Sequence, residues 1–263
     1  MTASNMIKSI NDWADFWRYT IGINVIPADT KNKVTAIKWS QYQNSPISEV
    51  QHEQWKKEGA FSNGIAIIPG KVWHRSDKQG LYFTFLDADK SNAINELCTM
   101  NGKSITLQEM AEKFIVEQHK DNLEKAHVYF YSPIPFPKKR SDPNLGLEIK
   151  GLGEHGIAYC APSIHRDRTP YEIIGTIEPI TLTEEQAKAL IQHIDQICKK
   201  YNLEYLEKHY RSLLDSDSCI YQGERHDSLL SIANSLLFRY GSNGTGSVAD
   251  SLDPLLEQEL KDK

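Results

Sequence analysis

The feature that most restricts the fold is a series of short apolar runs between residues 64 and 176. The runs are rich in β-branched and aromatic residues and are bounded by glycine or polar segments, which is the pattern of β-strands. They are GIAIIPG (64–70), GLYFTFLDAD (80–89), AHVYFYS (126–132), LGLEIKG (145–151), GIAYCAP (156–162) and PYEIIGT (170–176). This region is therefore expected to build the sheet part of the protein.

Helical patterns flank the strand runs. Residues 1–20 and 47–57 carry amphipathic helix patterns, and residues 91–124 are charged and rich in helix formers. After about Pro179 the apolar residues recur at helical spacing, beginning with a threonine N-cap signal in TLTEEQ. We therefore predict a mixed α and β domain at residues 1–179 and a helical accessory domain at residues 180–263.

Composition argues against several classes of protein. Of the 263 residues, 40% are hydrophobic and 25% are charged, as in ordinary globular proteins. There is no apolar run of about 18 residues and no signal-peptide pattern, so we expect a cytoplasmic protein without membrane contact. A net charge of −5 argues against a protein that coats nucleic acid, but it is compatible with a local basic groove. The cysteines form no CxxC pair, which argues against a structural zinc site: Cys98, Cys160, Cys198 and Cys219.

Two carboxylates end the most apolar of the strand runs. Asp87 and Asp89 are two residues apart, so on a strand their side chains point to the same face. Neighbouring carboxylates repel each other and raise one pKa unless a cation neutralises them. A pair of Mg²⁺ or Mn²⁺ ions about 4 Å apart would do so and would clamp both sides of a phosphoryl displacement. The alternative is an ordinary polar strand end, since this pattern is common in loops and caps.

Two other strand runs repeat the spacing of two residues. Lys125 and His127 open one strand, and both side chains are able to donate to an anionic triphosphate. Glu148 and Lys150 lie on another, where the acid would complete a carboxylate triad and the lysine would bind a phosphate. The alternatives are a surface lysine beside a capping histidine, and a cross-strand ion pair.

Two familiar motifs fail on particular positions. The segment DADKSNAINELC resembles a calcium loop, but Asn92 replaces its required glycine and Cys98 its bidentate glutamate. The segment GLGEHG (151–156) matches GxGxxG, but it is followed by a strand-like run rather than by the helix that binds a pyrophosphate. We interpret its glycines as a tight turn between two antiparallel strands.

Cationic and polar residues follow the later strands. The cluster KKR contributes Lys138, Lys139 and Arg140, and PSIHRDR (162–168) contributes Ser163, His165, Arg166 and Arg168. These residues would line a channel for a nucleic-acid backbone. The alternative is a set of solvated surface charges.

Taken in order, these motifs resemble the archaeo-eukaryotic primase superfamily, in particular its bifunctional primase-polymerase branch. FLDAD, KAHVYFY and LEIKGLGEHGIAYCAPSIH resemble its three ordered motifs, and the resemblance covers roughly residues 20–176. It implies an α+β catalytic domain of mixed and antiparallel sheets with flanking helices and an RRM-like palm part, followed by a small all-α domain. It implies metal ligands and nucleotide contacts at the following positions: Asp87, Asp89 and Glu148 for the metals, and Lys125, His127, Lys150, Ser163 and His165 for the nucleotide.

The resemblance also implies an activity. The expected protein uses two Mg²⁺ or Mn²⁺ ions to synthesise or extend primers from dNTPs or NTPs on a single-stranded DNA template during replication. Two departures are visible, since Glu148 stands where aspartate is commoner and Lys125 where a serine is usual. The rival hypotheses are an inactive replication-initiation protein of the same fold and a metal-dependent nuclease. Whether a replicative helicase is a partner is left open.

Overall fold

The computed structural model describes residues 7–100, 103–120, 122–136, 139–140, 145–151 and 156–215. The α-helices in these ranges are α1 (Ile10–Asp15), α2 (Glu49–Lys57), α3 (Ser91–Leu97), α4 (Leu107–Met110) and α5 (Glu184–Asp215). The first strands are β1 (Asn24–Asp29), β2 (Val34–Thr35), β3 (Ile65–Ile68), β4 (Gly70–Lys71), β5 (Tyr82–Ala88), β6 (Thr99–Met100) and β7 (Lys103–Ser104). The later strands are β8 (Ile115–His119), β9 (Asn122–Ser132), β10 (Lys139–Arg140), β11 (Leu147–Lys150), β12 (Ala158–Cys160) and β13 (Tyr171–Ile174).

The strands form two principal sheets. The smaller sheet has the order β12-β3-β1-β2, and the larger has the order β10-β11-β5-β9-β8-β13 with β4 also beside β5. Every pairing within the two sheets is antiparallel. Antiparallel sheets with few helices confirm the expected α+β class, while the expected all-α domain falls mostly beyond Asp215, outside the described residues.

The larger sheet is buried on both faces, which explains why its strands are so apolar. Along β5, Phe83 and Phe85 point into a first core that also contains the smaller sheet. Leu86 and Ala88 alternate with them and point into a second core beneath the helices. The two faces follow from the period of two along a strand.

The first core also fixes the N-terminal helix. Ser9 and Asp12 form a reciprocal capping box at the start of α1. The helix continues through a wider turn at Phe16–Ile21 and stops at Gly22, whose φ of 92° favours glycine. Within this turn Trp17 is fully buried, and its indole Nε1–H donates to the carbonyl of Ala161 at 3.0 Å. The N-terminal helix therefore holds the segment after β12 in place.

The second core is closed by α5. Thr183 and Gln186 cap its start reciprocally, through Thr183 N–H to Gln186 Oε1 at 2.8 Å and Gln186 N–H to Thr183 Oγ1 at 3.2 Å. Its buried side chains, Ala187, Ile194 and Ile197, belong to the second core. The chain divides into compact units at Met1–Lys208 and His209–Lys263. The division at residue 179 stays a prediction.

Two expectations about local structure were wrong. Residues 115–119 lie in the segment expected to be helix-rich, but they form β8, because IVEQH is a short β-branched run whose glutamate is buried rather than solvated. The strands on either side of GLGEHG do not pair with each other, since β11 joins β5 and β12 joins β3. The chain therefore crosses between sheets there, and Gly151 is needed because a Cβ would clash with the carbonyl oxygen of Phe136.

Within the part of the chain that the structure describes, no helix is long and apolar enough to cross a bilayer.

Candidate catalytic cleft

One row of polar side chains crosses four neighbouring strands of the larger sheet. In the strand register Glu148 lies opposite Asp87, Asp87 opposite His127, and His127 opposite Glu117. Directly opposed residues of antiparallel strands project from the same face. The row lies one step beyond Phe85 and Tyr129, so it begins where the first core ends. We call these four residues the acidic row.

His127 is held between two carboxylates of the acidic row. Its Nδ1 lies 2.8 Å from Glu117 Oε1, and its Nε2 lies 3.4 Å from Asp87 Oδ1. Burial lowers the pKa of His127, but the charges and hydrogen bonds of Asp87 and Glu117 outweigh it and raise the pKa to about 10. Burial alone would raise the pKa of Asp87, but the charges of His127 and Lys150 outweigh burial and hold this pKa below its usual value. Both groups are therefore charged at neutral pH.

Glu117 holds His127 in place from the buried side of the row. Its side chain is fully buried and accepts hydrogen bonds from the Tyr129 hydroxyl at 3.1 Å and from the Ala161 N–H at 2.6 Å. With His127 as a third partner, both carboxylate oxygens are satisfied. The imidazole of His127 is therefore fixed in orientation by a group that solvent does not reach.

The other two acids are each paired with a lysine. Asp89 Oδ1 lies 3.2 Å from Lys125 Nζ, and Glu148 Oε2 lies 2.9 Å from Lys150 Nζ. Among the described residues, two groups of potential metal ligands have donor atoms that all lie within 4.8 Å of one another. Neither group contains Asp87, Asp89 and Glu148 together. In the structure each of these acids is therefore neutralised by its own lysine.

Two residues of the acidic row, Asp87 and His127, line a cleft of about 300 Å³. One side of the cleft comes from the larger sheet, with Asp87, Asp89, His119, His127, Lys150 and Tyr171. The other side carries His165 and the residues Lys33, Ile157, Ala158 and Tyr159. Lys33 lies in the turn between β1 and β2 with a φ of 54°, and burial together with the charge of Arg166 lowers its pKa. Cationic and aromatic groups therefore surround the acids.

A second cluster lies at the β8 and β13 end of the cleft and consists of His119, His165 and Asp167. His165 Nδ1 lies 2.8 Å from Asp167 Oδ2, and His119 Nδ1 lies 3.7 Å from the same oxygen. Burial and the neighbouring charge of His165 lower the pKa of His119 to about 4, and burial also lowers the pKa of His165. Burial raises the pKa of Asp167, but hydrogen bonds from Thr169 and His165 outweigh it and hold that pKa well below its usual range. The two imidazoles are therefore neutral at neutral pH.

Comparison with protein families decides which class of protein has this arrangement. A model described as "Bifunctional DNA primase/polymerase, N-terminal" matches residues 17–185, which is more than half of the chain and contains every cleft residue named above. The chain belongs to this primase/polymerase family. No curated protein matches the sequence. The resemblance expected for residues 20–176 is thereby confirmed, and the family match supports a nucleotidyltransferase whose substrates are DNA and nucleotides.

Five of the residues expected from the sequence of this primase/polymerase domain line the cleft, and two more contact them. Asp87, Asp89, His127, Lys150 and His165 line it. Glu148 and Lys125 contact these residues through the register and the ion pair given above. The sequence thus identified four residues on the sheet side of the cleft and one, His165, on the other side.

The remaining expected residues lie elsewhere. Ser163 is buried, and its hydroxyl accepts from the Ile65 N–H at 2.8 Å, so it ties the loop after β12 to β3. Arg166 and Arg168 are exposed on that loop. Lys138 is outside the described residues. The backbones of Lys139 and Arg140 form β10, with Arg140 opposite Glu148.

Several residues that line the cleft or, like Glu117, lie buried behind it were not expected from the sequence. Glu117 and His119 were missed because β8 was taken for helix, although their spacing of two residues is the signal used for the other strands. Lys33 and Tyr171 gave no signal, because they come from segments distant in sequence from the three motifs.

Proposed function

We propose that this chain is a template-dependent nucleotidyltransferase that synthesises or extends primers on DNA from nucleoside triphosphates during replication. The observation that carries the proposal is the register of the larger sheet, which brings Glu148 opposite Asp87, with Asp89 two residues further on. Asp87, Asp89, His127 and Lys150 line a cleft of about 300 Å³, and Glu148 and Lys125 pair with two of these residues. Acids for cations and bases for phosphates are the two requirements of phosphoryl transfer.

The donor set fits hard divalent cations. Asp87, Asp89 and Glu148 offer only carboxylate oxygens, which Mg²⁺ and Mn²⁺ prefer. The depressed pKa of Asp87 keeps this half-buried carboxylate ionised. These three residues would hold two such ions. The chemistry that the ions supply when bound is a lower pKa for the attacking hydroxyl and neutralisation of the leaving pyrophosphate.

The cations of the cleft bind and orient the triphosphate in this proposal. Lys125 and Lys150 are paired with the acids in the structure, and both are long enough to turn toward phosphate oxygens. His127 keeps its charge and orientation through Glu117, so it presents a fixed N–H toward the Asp87 side of the cleft. Lys33 approaches from the opposite side. Positioning of this kind supplies much of the rate enhancement in phosphoryl transfer.

The template is proposed to bind near the loop after β12. Arg166 and Arg168 are exposed there, close to the cleft residue His165. Exposed arginines contact phosphates without reading the sequence. Lys138, Lys139 and Arg140 extend the same proposal on the basis of sequence alone. Ser163 is kept as a proposed nucleotide contact only through the family motif, since its hydroxyl is engaged by β3.

Extension of a labelled primer tests the proposal. The full chain is incubated with primed and unprimed single-stranded templates, with dNTPs or NTPs, and with Mg²⁺ or Mn²⁺. The matched pair of variants is Asp87→Asn/Asp89→Asn and Asp77→Asn, because Asp77 is an exposed aspartate paired with Arg75. Products and pyrophosphate from the wild type and Asp77→Asn, and neither from the double variant, are expected.

The same assay separates the rivals. Shortened template without pyrophosphate release would identify a nuclease. Binding of template with no product under any condition would favour the inactive replication-initiation protein. Synthesis that survives in Asp87→Asn/Asp89→Asn would overturn the assignment of the acids.

A further inference from the structure

We infer that His119, His165 and Asp167 form a binding site for a zinc-type divalent cation, separate from the carboxylates of the acidic row. The three residues offer two imidazole nitrogens and one carboxylate oxygen, and the three donor atoms all lie within 4.8 Å of one another. Two histidines and one carboxylate are a recurrent ligand set for Zn²⁺, Co²⁺ and Fe²⁺. The inference does not depend on the polymerase reaction.

The carboxylate of Asp167 is oriented for this role. Its Oδ1 accepts two hydrogen bonds from Thr169, from the N–H at 3.0 Å and from the hydroxyl at 2.6 Å. Its other oxygen, Oδ2, is directed at the Nδ1 atoms of His165 and His119, at 2.8 and 3.7 Å. Ligating carboxylates are characteristically fixed through their second oxygen in this way.

In the structure the donor atoms of this cluster are linked by hydrogen bonds to one another and to Thr169. A hydrogen bond from His165 Nδ1 accounts for the 2.8 Å distance. His119 Nδ1 is 3.7 Å from the same oxygen, beyond hydrogen-bonding distance, and lies instead 3.3 Å from the Thr169 hydroxyl, which donates to Asp167 Oδ1. Two imidazole nitrogens point toward one carboxylate oxygen, which is the arrangement that would coordinate a cation bound between them.

The two histidines are rigidly held and come from different elements. His119 ends β8, where it lies opposite Tyr171, and the ring centroids of these two residues are 4.7 Å apart. His165 belongs to the loop before β13, where its N–H donates to the Thr169 carbonyl at 2.8 Å. Each of the two residues is 4% exposed. Prior rigidity of the donors lowers the ordering cost of binding an ion.

The cluster is accessible from the cleft. Both histidines line the cleft, and the side chain of Asp167 is 39% exposed. Three protein ligands leave a coordination position for water or for an anionic oxygen, as in catalytic rather than purely structural zinc sites. Imidazole ligands favour a zinc-type ion over Mg²⁺, so this cluster and the three acids are expected to select different metals.

Cobalt binding tests the inference, because Co²⁺ occupies zinc sites and absorbs visible light according to its ligands. The full chain carries Asp87→Asn/Asp89→Asn, so that the acids of the larger sheet do not contribute. One equivalent of Co²⁺ is expected to bind, to be displaced by Zn²⁺ and to resist millimolar Mg²⁺. On this background Asp167→Asn and His119→Gln are expected to weaken Co²⁺ binding by about 100-fold or more, above the range for lost supporting hydrogen bonds.

His193→Gln is the matched control, because His193 is a half-buried histidine whose imidazole lies 3.3 Å from the Glu96 carbonyl. It should leave Co²⁺ affinity and spectrum unchanged. Circular dichroism checks each variant, and the exposed position of Asp167 keeps that variant decisive if His119→Gln does not fold. Absence of Co²⁺ binding, or equal binding by Asp167→Asn and the control, would overturn the inference whatever the outcome of primer extension.

Discussion

His127 and His119 lie on neighbouring strands and line the same cleft, but their surroundings drive their pKa values in opposite directions. Asp87 and Glu117 raise the pKa of His127 to about 10, whereas burial and His165 lower that of His119 to about 4. Tyr171 stands between them, with ring centroids 5.7 Å from His127 and 4.7 Å from His119. Within a few ångströms the sheet thus builds one fixed cation and one neutral donor.

The difference shows how position on the sheet decides the chemistry of a histidine. His127 is on a central strand, so carboxylates on both flanking strands reach it through the register. His119 is at the end of β8 beside β13, where its neighbours are aromatic rings and a loop carboxylate that it shares with His165. A charged imidazole suits an anionic substrate, and a neutral one suits a metal ion.

The largest effect is expected at the charged histidine, His127, from the substitution Asp87→Asn in its partner. This substitution preserves shape but removes the carboxylate that is proposed to hold a cation and that pairs with His127. We expect the turnover number in primer extension to fall by roughly 1,000-fold, a loss typical of transition-state charge stabilisation. Asp77→Asn should retain wild-type turnover. A loss below tenfold for Asp87→Asn would show that the acidic row is not the catalytic centre.

The next largest effect is expected on stability, from Glu117→Gln. The buried carboxylate serves His127, Tyr129 and the Ala161 N–H, so the amide leaves a buried imidazolium with a weaker partner. Breaking a buried ion pair costs about 3 kcal/mol or more in the free energy of unfolding. Urea denaturation, monitored by circular dichroism, measures it.

Asp167→Asn provides the matched comparison for Glu117→Gln. Its carboxylate also contacts a histidine, but it is 39% exposed, and we expect a loss of under about 1 kcal/mol. Equal losses of unfolding free energy for the two variants would contradict the view that the acidic row contributes more to stability than the cluster of His119, His165 and Asp167.

A smaller effect is expected from Lys150→Met. Lys150 lines the cleft and is 14% exposed in its side chain, so the loss of one charge-assisted phosphate contact should raise the KM for nucleotides about tenfold. Lys120→Met is the control, because Lys120 pairs with Glu172 and its side chain is 56% exposed. Steady-state kinetics at saturating primer measures both. An unchanged KM for Lys150→Met would remove this lysine from the proposed triphosphate contacts.

The same comparison explains how much the sequence predicted. Asp87 and His127 lie on strands whose apolar residues are unmistakable, and Asp89 directly follows the first of these strands, so spacing by two residues was enough to predict that they share one face. The sequence also predicted Glu148 as a third acid, but only the strand register brings it opposite Asp87. The membership in the primase/polymerase family was likewise within reach of the ordered motifs.

The cluster of His119, His165 and Asp167 could not be predicted from residue spacing, for a physical reason. Its donors come from the end of β8 and from the loop before β13, and they meet only because Tyr171 pairs with His119 across the strands. A pattern of local spacing carries no information about which strands become neighbours. The buried charge of Glu117 further disguised β8, since charged residues ordinarily indicate solvent.

The last expected effect concerns pH and uses a third histidine that is remote from the acidic row. His74 is partly buried against Arg18 and Asn24, and burial together with the charge of Arg18 lowers its pKa to about 4. The unfolded chain binds this proton near pH 6.5, so between pH 6.5 and 4 it holds more protons than the folded chain. The contribution of His74 to stability is therefore complete above pH 6.5 and is lost as the pH falls toward 4.

Urea denaturation of the wild type and of His74→Gln at pH 7.5, 5.5 and 4.5 measures this contribution. The variant has no titrating group at this position, so the difference in unfolding free energy between the two proteins should shrink as the pH falls. A difference that stays constant would mean that His74 titrates alike in the folded and unfolded chains. A difference that grows would mean that its neighbours favour the imidazolium, as they do at His127, and the contrast between neutral and charged histidines would then not extend beyond the cleft.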